Sequence, residues 1–279
     1  MRLGTLATES GTEAIVVAGD LAHPVAGFAD VGELLRAGPA GSQAAREAIT
    51  AAPGTALDPA RLRRPVLRPG AIVCVGLNYR THILEMGREL PTSPTLFGKL
   101  ARSLTDPYAD IALPAVSQKV DYEAELAIVI GRGGRAIDRE NAWEHVGGLT
   151  VLNDVTARDF QRRSVQWFAG KTFQASTPVG PYVVTADELG EIGGLEIRLT
   201  VNGEERQRST LGELVFDVPA LVADLSQIVE LEPGDIIATG TPGGVGHASE
   251  TYLGDGDVVE VSIEKIGNLR NVFRAEASC

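Results

Sequence analysis

The chain has 279 residues, with 25 Lys and Arg against 37 Asp and Glu and a formal net charge of −12. That length accommodates one large domain and a smaller one, and the acidic balance excludes the basic footprint of a nucleic-acid-binding protein. Two cysteines, Cys74 and Cys279, are too few for a disulfide framework. The N-terminus has no sustained apolar segment of the secretory kind, and no apolar run reaches the roughly 18 residues of a membrane span. A cytoplasmic enzyme acting on a small molecule is the class these features leave.

Residues 1–66 alternate short strands, such as 13–17, with alanine-rich helical patterns around 31–36 and 43–51. Pro53, Pro59, Pro65 and Pro69 then crowd a linker. The expected division is a small N-terminal domain over 1–66 and a main domain over 67–279. In the segment VCVGLNYRTHILE (73–85) a short buried strand, carrying Cys74, runs through Gly76 into a polar turn. His82 and Glu85 are three residues apart, so a helical turn places them on one face. A carboxylate beside a histidine fixes its tautomer and raises its basicity, as a general base requires. Taken by residue type alone, His82, one of four histidines, has a structural role as its competing reading.

DYEAELAIVIG (121–131) reads as a buried strand whose β-branched run ends at a glycine. Side chains alternate along a strand, so Glu123 and Glu125 point the same way, with Cα atoms about 7 Å apart. Two carboxylates in one small volume beside an apolar strand repel each other, and one tends to take up a proton. A hard divalent cation removes that conflict, because magnesium and calcium prefer oxygen ligands. The competing reading is a solvated face with two exposed glutamates. In VLNDVTARDFQ (151–161) Asp154 falls at a strand end and supplies a third carboxylate, unless it serves only as a turn or cap residue. Thr156 and Asp159 resemble a helix-start pair. Further on, Asn202-Gly203 signals a hairpin, and Leu221, Val222, Leu225, Ile228 and Val229 form one apolar face of a helix over 219–229 that starts near Asp217 or Val218. The glycines of 240–246 lack a following G-K-[ST] and contain Pro242, so a pocket wall offering backbone N–H groups is more economical than a phosphate loop.

Together these segments resemble the fumarylacetoacetate hydrolase superfamily. The matching stretches are VGLNYRTHILE (75–85), PTLFGK (94–99), DYEAELAIVIG (121–131), NDVTARDFQ (153–161), QWFAGKTF (166–173), PVGPYVV (178–184), VNGEERQ (201–207), LEPGDIIATGTPGGVG (231–246) and LGDGDVVEVSIEKIGNL (253–269). They cover about residues 70–270 in the family's order. The resemblance implies an α+β fold, a mixed β-sandwich or β-roll around a metal with a small N-terminal α/β domain, usually as a homodimer. It implies Glu123, Glu125 and Asp154 as ligands of magnesium, or of manganese or calcium. His82 and Glu85 match a water-activating pair. Lys171 matches a lysine that holds substrate and stabilises developing negative charge. Arg158 and Gln161 match positions near metal and substrate, and Thr241 lines the carboxylate end of the pocket. Independently of the resemblance, the polar and glycine-flanked ends of the segment 79–90, which carries the candidate base, lead us to expect a lid that orders over substrate. Two departures are visible: Gln174 stands where many members carry Asp, and Val75 replaces a fourth carboxylate ligand of the longer members.

The implied chemistry is cleavage of a carbon–carbon bond in a 2,4-diketo acid such as an acylpyruvate. Water attacks the distal carbonyl and an enolate leaves on the metal. Oxaloacetate decarboxylation and keto–enol or double-bond isomerisation use the same metal–enolate logic, so fold and metal alone do not choose among them. The intact HILE segment favours hydrolysis. A non-catalytic metal-binding protein is the alternative of another class.

Overall fold

The computed structural model describes residues 1–85 and 87–276. Strands β1 (Arg2–Thr8), β2 (Gly11–Ala18) and β3 (Leu21–Pro24) form a meander, and helices α1 (Val31–Arg36) and α2 (Pro39–Ala51) follow. Asp30 caps α1 by accepting from the Glu33 N–H at 2.6 Å. The proline-crowded stretch is built into the sheet rather than left as a free linker. Its short strands β4 (Thr55–Ala56) and β5 (Leu62–Arg63) pair with β3 and β1.

The chain continues through β6 (Ile72–Gly76), α3 (Arg80–Glu85), β7 (Thr95–Gly98), β8 (Leu104–Thr105) and β9 (Ile111–Leu113). Next come β10 (Val120–Asp121), β11 (Ala124–Ile130), β12 (Val146–Asn153) and β13 (Thr156–Ala157), then α4 (Arg158–Gln161) and α5 (Phe168–Lys171). The remainder is β14 (Thr177–Val184), α6 (Ala186–Leu189), β15 (Glu196–Val201), β16 (Glu204–Thr210), α7 (Val218–Ile228), β17 (Ile236–Ala238), β18 (Val258–Ile263) and β19 (Gly267–Ala275).

Among the described residues, a 12-stranded sheet has the order β4-β3-β2-β1-β14-β12-β11-β17-β6-β7, with β5 beside β1 and β8 beside β14. The N-terminal strands join it through β1 and β14, with Leu3 opposite Val183. A second sheet of five strands has the order β16-β15-β18-β19-β9. The two sheets enclose a core of Leu126, Ile128, Val151, Leu199, Val261 and Phe273, to which α7 adds Leu221, Val222 and Leu225. The opposite face of the large sheet, with Ala127, Val129 and Val183, lies under Leu34 of α1 and Ala45 of α2. This is the α+β, mixed-sandwich class expected from the sequence. Strand β11 is covered on both faces, which is why its apolar run is continuous.

Helix α7 starts where expected, with Asp217 accepting from the Ala220 N–H at 2.9 Å. Asn202 and Gly203 turn the β15–β16 hairpin with φ of 53° and 82°, the positive pair that a two-residue turn of this type needs. Two local expectations are corrected. The segment 121–131 is not one strand: Asp121 ends β10, β11 starts at Ala124, and Glu123 lies between them. Thr156 and Asp159 do not cap a helix. Helix α4 begins after Ala157 without a side-chain cap, the Thr156 hydroxyl donates to the Asp154 carbonyl at 2.8 Å, and Asp159 accepts from the Ser117 hydroxyl at 2.7 Å. Among the described residues no helix is long and apolar enough to cross a membrane.

Candidate metal centre and substrate cavity

Strand register brings the carboxylates together. Ala124 pairs with Asn153 and Glu125 with Leu152. The Glu123 N–H donates to Asn153 Oδ1 and the Asp154 N–H to the Glu123 carbonyl, both at 2.9 Å. The start of β11 is thus tied to the end of β12. Each of Glu123, Glu125 and Asp154 offers an oxygen within 4.8 Å of the others. They are 7%, 1% and 0% exposed, so the solvated-face reading of the two glutamates does not hold.

Three cations converge on this cluster. Lys171 Nζ donates to Glu123 Oε2 at 2.7 Å and to Asp154 Oδ2 at 2.8 Å. Lys99 donates to Asp154 Oδ1. Arg158 contacts Glu123 Oε1 through Nη1 at 2.7 Å and Asp121 Oδ2 through Nε at 2.8 Å, not Asp154 or Asp159. Lys171, a surface lysine by residue type alone, is 2% exposed. Gly170 permits this, because a Cβ there would collide with the backbone of Gln161 and Ala157, where α5 packs on α4. Removing several charges from water opposes folding by several kcal/mol per ion before pairing offsets it. A cluster of this density is therefore better explained by what it binds than by what it stabilises.

Asp121 adds a fourth buried carboxylate beside the triad. Four carboxylates against Lys99, Lys171 and Arg158 leave one negative charge uncompensated. Glu125 carries the strain of that excess: burial, then Asp154 and Glu123, push its carboxyl well above the ordinary range, while the Gly240 N–H at 2.8 Å opposes the rise. Burial also works upward on Asp154, but Lys171 and Lys99 outweigh it and hold its carboxyl below the usual value. Burial lowers Lys171, and Asp154 and Glu123 more than restore it, so it remains a cation. Three clustered hard oxygen donors with surplus negative charge fit a divalent ion of the magnesium or manganese type.

The cluster opens into a cavity of about 560 Å³ whose walls include Glu123, Glu125, His82, Arg158, Gln161, Lys171 and Thr241. Asp154 lies behind them, fully buried. His82 stands on α3; the Glu85 side chain, expected to orient it, lies outside the described residues. Gln161 Oε1 accepts from Arg158 Nη1 at 3.1 Å. Thr241 accepts from Gln207 Nε2 at 2.8 Å, while Gln207 Oε1 accepts from the Ala124 N–H at 2.9 Å, so one buried amide ties the glycine-rich wall to β11.

Sequence reasoning gave no role to Lys99, Asp121, Gln207 or His247. Lys99 ends PTLFGK as Lys171 ends FAGK, and that repeated Gly-Lys was the available signal. Asp121 lies in the same motif as the glutamates. No local pattern marks Gln207.

The family described as fumarylacetoacetate (FAA) hydrolase C-terminal matches residues 71–274. The chain belongs to the fumarylacetoacetate hydrolase family. Over 211 residues it is 45% identical to mitochondrial oxaloacetate tautomerase FAHD2A of Bos taurus, covering 74% of this chain and 67% of that protein. The fumarylacetoacetate hydrolase of Exiguobacterium antarcticum superimposes with a TM-score of 0.89 at 37% identity, over 99% of this chain and all of the other. Maleylpyruvate hydrolase from Sphingobium sp. SYK-6, solved with manganese (II) ion and pyruvate, superimposes with a TM-score of 0.83 at 30% identity over 99% of this chain and all of the other.

Proposed function

We propose that this chain is a divalent-metal-dependent enzyme that enolises a short 2-keto acid, with keto–enol tautomerisation of oxaloacetate as its first activity. The observation that carries the reading is the buried triad of Glu123, Glu125 and Asp154, the two glutamates on the wall of a cavity that also carries Arg88, Arg158, Arg162 and Lys171. A divalent ion would turn the single surplus negative charge into a single surplus positive one, and an anionic substrate would offset it. The activity named for the bovine relative, and the manganese and pyruvate named for the Sphingobium structure, support the same reading.

Glu123, Glu125 and Asp154 would hold magnesium or manganese. When bound, the ion would supply Lewis acidity to the keto-acid oxygens. Lys171, kept cationic by its carboxylate partners, offsets negative charge that develops on the substrate. Arg158 and Gln161 fix the substrate from one side, and Thr241, held by Gln207, from the glycine-rich wall. His82 favours a second reading, hydrolytic cleavage of an acylpyruvate: a histidine on the cavity wall takes a proton from water as the water attacks the distal carbonyl.

The reading extends to a homodimer in the cytoplasm and to a functional division near residue 66, just before the family match begins at residue 71. Light scattering tests the first point. The activities are separated by following enol absorbance of oxaloacetate and pyruvate release from an acylpyruvate, each with magnesium and after chelation. Tautomerisation lost on chelation supports the reading; a metal-loaded protein inert toward every keto acid refutes it.

A further inference from the structure

His247 lies on the wall of the cavity that also holds Glu123, Glu125 and His82. It is fixed from two directions. Its backbone N–H donates to Asp121 Oδ2 at 2.9 Å, the oxygen that also accepts from Arg158 Nε at 2.8 Å. Arg158 in turn contacts Glu123, so the His247 loop and the acidic triad share one anchor. On the side-chain end, Nδ1 lies 2.8 Å from the Tyr252 hydroxyl. The fold builds this contact deliberately close. The N–H groups of Ser249 and Thr251 both donate to the Gly246 carbonyl, at 3.2 and 2.9 Å, which folds the chain back, and a Cβ at residue 246 would collide with the Thr251 carbonyl. Lys119 backs the pair, its Nζ 5.6 Å from the Tyr252 ring centroid.

In the tautomer whose Nδ1–H donates to the Tyr252 hydroxyl, Nε2 carries the lone pair and has no hydrogen bond among the described residues. Burial, Arg162 and Arg158 hold the imidazole below its ordinary value, with Lys119 acting in the same sense and Asp121 opposing them. That direction favours the neutral, basic form of the ring. Enolising a keto acid needs such a base at carbon 3. Lys171 and Arg158 are held as cations and do not fill that role.

We propose that His247 is a catalytic base that removes the C3 proton of the bound keto acid and returns it, an assignment that rests on the keto-acid reading above. The C3–H bond breaks and its electron pair forms the C2=C3 bond. The carbonyl π pair moves onto the C2 oxygen, and the proton goes to Nε2. The enolate oxygen then takes a proton from water, and His247 gives its own to solvent; the reverse sequence restores the keto form. Tyr252 is a positioning residue for this step.

The test uses the magnesium-loaded full chain with saturating pyruvate in deuterium oxide, following loss of the methyl proton signal by NMR. The parent should exchange, and His247→Gln should slow exchange by about 10²–10⁴-fold, the usual worth of a general base, with pyruvate affinity by calorimetry retained. Tyr252→Phe keeps the imidazole and serves as a second variant: it should displace the acid limb of the exchange-rate profile. If the parent tautomerises oxaloacetate while His247→Gln exchanges at the parental rate, or while Tyr252→Phe leaves the profile in place, this assignment is wrong and the function stands. A parent inert toward every keto acid removes both.

Discussion

On β18, Glu260 alternates with buried Val259 and Val261, is 48% exposed at its side chain, and pairs with Arg270 of β19 at 3.4 Å. At the start of β11, Glu125 precedes five buried apolar residues, is 1% exposed, and shares its surroundings with two further carboxylates. Both are glutamates on strands of this fold, and both lie near basic side chains. Water screens and solvates the first, so its ion pair contributes little. The second is almost entirely withdrawn from solvent, so its charge has to be met by protonation, by lysine or by a bound cation. Burial, rather than residue type or pairing, is what separates the two carboxylates.

Substitution is the sharpest way to break that comparison. Glu125→Ala should weaken magnesium or manganese binding by at least about 100-fold, beyond the roughly 10–100-fold expected for losing an outer-sphere partner, and activity should go with it. Glu260→Ala should leave calorimetric metal affinity and turnover unchanged. A Glu125→Ala protein that binds metal as the parent does would place the ion elsewhere.

The cations follow the same division. Lys99→Met strips Asp154 of a buried partner and should destabilise the metal-free protein by about 3 kcal/mol or more. Arg270→Gln, which breaks the exposed β18–β19 pair, should cost about 0–1 kcal/mol. Urea denaturation of both variants measures the contrast, and saturating magnesium should narrow it by supplying Asp154 with another counter-charge. Equal losses in the two variants would mean that the buried cluster is solvated after all.

Stability against pH sharpens the comparison further. Because the Glu125 carboxyl is raised in the folded protein, its contribution is fully present below the ordinary carboxylate range and is lost as pH rises through its raised value. Asp154, lowered by its lysines, contributes above the ordinary range and loses that contribution as pH falls through its own lower value. Melting temperatures of the metal-free protein should therefore decline on the alkaline side of the carboxylate range. Glu125→Gln, or added magnesium, should flatten that decline. An unchanged slope in Glu125→Gln would assign it to another group. Away from the site, Gly203→Ala in the positive-φ hairpin position should cost only about 1 kcal/mol in the same denaturation assay.

Much of this is legible in the sequence itself. The continuous apolar run of β11 announced a buried strand, Asn202-Gly203 announced its hairpin, and the apolar face of 219–229 announced a helix starting near Asp217 or Val218. These are local signals in which the residue carries its own conformational preference. The grouping of Glu123, Glu125 and Asp154 was legible from the two-residue spacing of the glutamates and from Asp154 at a strand end, although Glu123 lies just outside β11. What stayed hidden depends on tertiary register. Thr156 and Asp159 fit a cap in sequence but are drawn away by the Asp154 carbonyl and Ser117. Arg158 finds Asp121, 37 residues earlier, rather than its neighbour Asp159. Lys99 reaches the site just past the end of β7 and Gln207 from the middle of β16, and a glutamine carries no local mark of burial. The pairing of β1 with β14 likewise joins segments that nothing in the sequence relates.

The most direct test is calorimetric titration of pyruvate into the protein with magnesium, after chelation, and with Glu125→Gln. The expected result is binding that requires both the metal and the intact triad, disappearing on chelation and in the variant. Pyruvate affinity unaltered by chelation would contradict a cavity whose attraction for keto acids is created by a cation held on Glu123, Glu125 and Asp154.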